Sequence, residues 1–180
     1  MALRSLGLRR PRTAVTAVLL AVLSMLLAAP AAHATSATLV HCEGSFTVTY
    51  DPPLTNTPRL TDVTFHNDLD SCLTGGVTSG DASGEFSAIR SCTTLDLPPH
   101  PATTTFSWNT GASSTIAFSL STVDRLVNGT TVVTSYGTVS QGFDQGAQAI
   151  HTAVQPQLNP IACASSGVAQ LTGPDVLQLI

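Results

Sequence analysis

The sequence predicts an all-β antiparallel domain, a sandwich or a flattened meander barrel of about eight to ten short strands, behind a cleavable export signal. Three observations carry this. Apolar and polar residues alternate with period two through several segments of residues 35–180. Gly, Pro and Asn-Gly turn signals separate those segments. No stretch in that range sustains the 3.6-residue period of a helix, so helix is expected only in the signal.

Residues 1–34 have the three-part layout of an export signal. Arg4, Arg9, Arg10 and Arg12 form a basic head, and Thr13 to Ala29 form an apolar run that Pro30 ends. Ala32-His33-Ala34 puts small residues at the two positions a signal peptidase reads. The run is short for a bilayer helix, which needs about 20 residues, so cleavage and no stable membrane anchor are expected. Arg9-Arg10 raises the twin-arginine route, but Pro11, Arg12 and Thr13 follow where that signal prefers an apolar pair. The expected product is a secreted, extracellular single domain, residues 35–180.

Without the signal, Arg59, Arg90 and Arg125 stand against eleven carboxylates, with no Lys, for a net charge of −8. An acidic chain without a basic patch disfavours nucleic acid and anionic lipid as partners. Thr, Ser and Gly supply 52 of the 146 residues, a composition shared with mucin-like stalks. All nine aromatics lie in this range, however, and together with the alternation they indicate a packed core.

The strands follow in order. From Leu39 to Tyr50, Val40, Cys42, Gly44, Phe46, Val48 and Tyr50 occupy one face, until Asp51-Pro52-Pro53 ends the run. Arg59 to Asn67 continues with Val63 and Phe65 on one face and Thr64 and His66 on the other. Gly75-Gly76 and Gly80 to Gly84 read as loop or bulge, and Glu85 to Thr93 as a strand carrying Phe86, Ala88 and Ile89. Leu97-Pro98-Pro99-His100-Pro101 is a stiff connection. Ala102 to Trp108 turns at Asn109-Thr110-Gly111 into Ser114 to Thr122, with Ile116, Phe118 and Leu120 inward. Asn128-Gly129 is the strongest short hairpin dipeptide, joining Val123–Val127 to Thr131–Val139. Gln148 to Val154 puts Ile150 and Val154 on a shared face, and a pair around Ile161–Leu171 and Val176–Ile180 closes the chain.

Cys42, Cys72, Cys92 and Cys163 are too widely spaced for a zinc site and, outside the cell, read as two disulfides. Three pairings are possible. A first hairpin centred near Thr57 sets Cys42 opposite Cys72, so Cys42–Cys72 is preferred and Cys92–Cys163 follows by elimination.

The order of these features resembles a group of small secreted actinobacterial all-β proteins of unknown function. It shares a Cys-x-Gly strand (Cys42-Glu43-Gly44), a Trp-x-x-Gly turn (Trp108 to Gly111), a Gly-x-Val-x-x-Gly-x-x-x-Gly segment (Gly137 to Gly146) and a late Ala-Cys followed by Gly (Ala162-Cys163, Gly167). The resemblance spans most of residues 35–180 and implies no established activity. The glycine-spaced segment is also similar to barrels of the dirigent and allene oxide cyclase type, and implies no catalytic residue.

Glu43 and Glu85 are the candidates for acid–base hydrolysis, which needs two carboxyls about 5–10 Å apart in one cleft. Alternation puts Glu43 on the polar face. Asp68-Leu69-Asp70 offers clustered oxygens for calcium, without a longer acidic loop around them. His41, His66, His100 and His151 accompany no nucleophile-elbow pattern and read as surface residues. Trp108, with Tyr50 and Tyr136, is a candidate sugar-stacking platform, but its register with Phe106 favours the core. No catalytic, cofactor-binding or metal-ligating residue is therefore expected, and no cofactor. The expected function is non-enzymatic binding of a partner or ligand through the loops or barrel mouth. The alternatives are a small extracellular hydrolase using its carboxylates and a protease inhibitor presenting Leu97 to Pro101.

Overall fold

The computed structural model describes residues 39–94 and 102–180. The export signal and the Leu97–Pro101 segment lie outside the described residues. Eight strands follow in chain order: β1 (Val40–Leu54), β2 (Arg59–Cys72), β3 (Gly80–Arg90), β4 (Ala102–Trp108), β5 (Ser113–Arg125), β6 (Thr131–Gly142), β7 (Gln148–Gln155) and β8 (Val168–Leu179). One helical turn, α1 (Pro160–Ala164), lies between β7 and β8. Each strand pairs with its neighbours in sequence, and β8 returns to β1, from Val40↔Leu179 to Leu54↔Val168. The chain is thus a closed antiparallel meander barrel rather than a sandwich. Closure is how an all-β chain disposes of exposed strand edges.

The alternation of β1 sets the inside. Val40, Cys42, Phe46 and Tyr50 are buried, while Glu43, Ser45 and Thr49 are exposed. The β1–β2 ladder brings Cys42 opposite Cys72, and the two form a disulfide with Cα atoms 4.0 Å apart. A bulge between Glu43 and Ser45 shifts the register by one residue. Gly44 stands at that bulge because a Cβ there would fall 1.9 Å from the Asp68 carbonyl oxygen. At the opposite end of the barrel, Cys92 bonds Cys163 and ties the segment after β3 to α1.

Three local expectations are corrected. Gly80 to Gly84 is not loop: it begins β3, pairing with β2 from Leu69↔Gly80 to Phe65↔Gly84. The closing region is one long strand, β8, preceded by α1, so residues 35–180 do hold a helical turn. Asn159 caps that turn, its Oδ1 accepting from the N–H groups of Ile161 (2.9 Å) and Ala162 (3.3 Å), with Pro160 in the first turn. In β5 a register shift between Phe118 and Leu120 turns Leu120 outward, where it is 56% exposed, and buries Ser121 in its place.

One end of the barrel is packed solid. Val40, Leu69, Ile116, Val139, Leu177 and Leu179 meet there with Trp108. Burying such a side chain contributes about 1.5–3 kcal/mol. Trp108 stacks on Phe106 with centroids 6.1 Å apart, and its indole N–H donates to Ser114 Oγ at 2.8 Å. The Ser114 hydroxyl donates in turn to the Phe143 carbonyl. The polar edge of the ring is thus satisfied inside the plug.

Candidate functional site in the barrel interior

Beyond this plug the interior is not filled. An eight-stranded barrel is just wide enough for side chains to fill it or for one small ligand, and here it holds a cavity of about 570 Å³. Phe46, Val48, Val63, Phe86, Phe118 and Val133 form apolar walls. Gly84, Ala102 and Ala153 also line it, and their small size leaves the space open. The volume falls within the range of small-molecule sites, roughly 300–1,000 Å³.

The wall is thinnest between β3 and β4. Their ladder has two registered pairs, Gly80↔Trp108 and Asp81↔Ser107. Past those pairs, the exposed residues Ser83, Glu85, Thr103 and Thr105 line the cavity.

A polar cluster sits near the cavity floor, just past the plug. Asp175 of β8 is 1% exposed, and its Oδ2 accepts from Asn67 Nδ2 of β2 at 2.6 Å. Its Oδ1 lies 2.6 Å from His151 Nε2 of β7. That is ion-pair distance, but Oδ1 has no well-aimed hydrogen bond, so proximity holds this contact more than alignment does. Asn67 Nδ2 is also 3.4 Å from Nε2. His151 and Asn67 line the cavity, and Asp175 stands behind them. The Phe106 ring meets the imidazole edge-on at 6.1 Å, and the Phe118 ring lies tilted to it at 5.9 Å. Two aromatic rings and a carboxylate thus surround one histidine. Ser135 completes this level, its hydroxyl 2.6 Å from that of Ser121.

The other polar group of the cavity lies toward the opposite end. Burial pushes the Tyr50 phenol up to about 12, the nearby Arg90 guanidinium offsetting part of the rise. Tyr50 therefore stays a hydrogen-bond donor across ordinary pH. Arg90 is 7% exposed and lies over the Phe86 ring at 5.7 Å. Gln155 also lines this end, and its side-chain carbonyl oxygen is buried without a partner.

The sequence candidates scatter. Glu43 faces outward beside His41, 3.3 Å from its Nε2, while Glu85 lines the cavity, so the two carboxyls share no cleft. Asp68 and Asp70 are exposed on β2, and Asp68 faces Asp81 across the ladder. Among the described residues no three His, Cys, Asp or Glu side chains gather as a metal site. Trp108 lies in the plug, Tyr50 in a second apolar cluster and Tyr136 on the outside, so they form no common platform. His66 is exposed, and His100 lies outside the described residues.

His151 overturns the surface reading. Ile150 and Val154 share one face of its strand, and Ala149, His151, Ala153 and Gln155, on the other, point inward. The available signal was the pair of alanines two residues to either side of His151. Small inward residues are what a barrel uses where it keeps room. Comparison with protein-family models, with curated proteins and with solved structures finds no match for this chain.

Proposed function

We propose that this is an exported, non-enzymatic binding protein that takes up one small, largely apolar molecule inside its barrel. The observation that carries the reading is the 570 Å³ cavity, apolar on its walls and polar at its floor. An apolar pocket with a few fixed polar groups is the usual form of a small-molecule site. Two disulfides suit an oxidising compartment, in keeping with the export signal. The reading needs no cofactor, metal or nucleic acid.

A thermal melt of the protein with both disulfides formed, against a panel of small apolar compounds, tests this. A guest at a hundredfold excess over its dissociation constant stabilises the folded state by about 2.7 kcal/mol, a shift of roughly 5–10 °C for a domain of this size. The shift should saturate and should vanish in Ala153→Phe/Val133→Phe, which fills the cavity from two adjacent, cross-strand-paired positions. A shift that survives filling places binding elsewhere and rejects the reading.

A further inference from the structure

Residues 35–180 carry a net charge of −8 and three arginines, and two of those three stand side by side at the end of the barrel away from the plug. Arg59 and Arg90 are direct partners on the β2–β3 ladder, so both side chains leave the same face of the sheet. That face is the inward one. Arg90 lines the cavity, and Thr61 and Val63, the next residues of β2 on the same face, are buried. Like charges at facing positions repel. Arg59 Nη2 donates to the Pro53 carbonyl, while its Nε is buried without a partner. Arg90 has interactions of its own within the chain, and its guanidinium, 5.7 Å from the centre of the Phe86 ring, has five N–H groups to distribute. Tyr50 lines the same end as a protonated phenol. The interior thus carries its two arginines at one end and the buried carboxylate of Asp175 behind the other.

We propose that the guest is an amphipathic monocarboxylate, its carboxylate held by Arg90 and the Tyr50 hydroxyl and its apolar body running over Phe86 toward Phe118 and Phe106. The inference rests on the reading of the cavity as a small-molecule site and adds the charge and orientation of the guest. An arginine side chain only donates, so the head group that meets it must accept. Its positive charge is permanent, and its bonds to a carboxylate are about twice as strong as those between neutral groups. Arg59 adds a second positive charge at the neighbouring position. Asp175 repels an anion from the floor, so the head turns toward Arg90 and the apolar body toward the plug.

Four naphthalenes serve as probes, followed by their own fluorescence: 3-(2-naphthyl)propanoate, 3-(2-naphthyl)propanamide of nearly the same shape, 2-propylnaphthalene and protonated 3-(2-naphthyl)propylamine. The carboxylate should bind about tenfold more tightly than the amide, the difference between a charge-assisted and a neutral hydrogen bond. That carboxylate-to-amide ratio should fall about tenfold in Arg90→Met, which keeps an unbranched apolar stem beside Phe86, with 2-propylnaphthalene still bound. Arg59→Met serves if Arg90→Met does not fold; it should lower the same ratio severalfold. If 2-propylnaphthalene binds but the ratio is equal in wild type and variants, the inference is wrong and the cavity reading stands. A preference for the ammonium probe overturns it as well, because the negative groups of the interior then dominate. If none of the four binds, both readings fall.

Discussion

His151 and Asp175 meet diagonally across the β7–β8 ladder inside the barrel, Nε2 2.6 Å from Oδ1, on a carboxylate that is 1% exposed. A charge this deep is costly unless every neighbour compensates it. Among the described residues Asn67 donates to one oxygen, and His151 lies at ion-pair distance from the other.

Removing the carboxylate from this cluster strands both partners. Asp175→Leu is expected to destabilise the fold by about 3–5 kcal/mol, as for other broken buried pairs. Replacing Asn67, His151 and Asp175 together by Leu should recover most of that loss, because no polar group is left unpaired. Urea unfolding midpoints measure both. A triple variant as unstable as the single one contradicts this account of the cluster.

Tyr50 makes stability depend on alkaline pH. The folded phenol titrates near about 12, and the unfolded one near about 10. The unfolded chain therefore gives up its proton first. Stability is intact below about pH 10 and falls as pH rises through about 12, by roughly 2–3 kcal/mol in all. Urea midpoints from pH 9 to 12 should fall less in Tyr50→Phe, and parallel curves for the two proteins contradict the assignment.

The two disulfides differ in the loop they close. Cys92–Cys163 spans 71 positions and Cys42–Cys72 spans 30. In the chain-entropy picture they contribute about 4.4 and 3.6 kcal/mol. Replacing both members of the longer bridge by Ser should lower the denaturation midpoint more than replacing both of the shorter. The reverse order means that native-state packing at the Cys42 end outweighs chain entropy.

Much of the fold was legible because it is local. The alternation of Val40, Cys42, Phe46 and Tyr50 fixes one face of β1, and counting back from Thr57 sets Cys42 against Cys72. The pairing of β1 with β8 joins residues more than a hundred positions apart, and no spacing encodes it, so sandwich and barrel could not be separated beforehand. The site was hidden for a related reason. His151 becomes a cavity residue because Asn67 and Asp175 reach it from β2 and β8. Ile150 and Val154 masked that, since an inward face that leaves space carries small residues rather than large ones.

Asp68 and Asp81 oppose each other on the exposed face of the β2–β3 ladder. Like charges at facing positions repel, so Asp81→Asn should stabilise the protein by about 0.2–1 kcal/mol. The gain should shrink as salt is added. Unfolding at low and high ionic strength checks it, and a salt-independent loss of stability contradicts the expected repulsion.

The central claim is that the barrel interior holds a guest, and Trp108 offers the most direct test. It is the chain's one tryptophan, and it stacks against Phe106, which lines the cavity. An apolar fluorescent energy acceptor bound in the cavity should quench its emission in a saturable, one-to-one manner. Ala153→Phe/Val133→Phe, still folded, should abolish that quenching. Equal quenching in the filled variant, or none in the wild type across the acceptors tried, would contradict the claim.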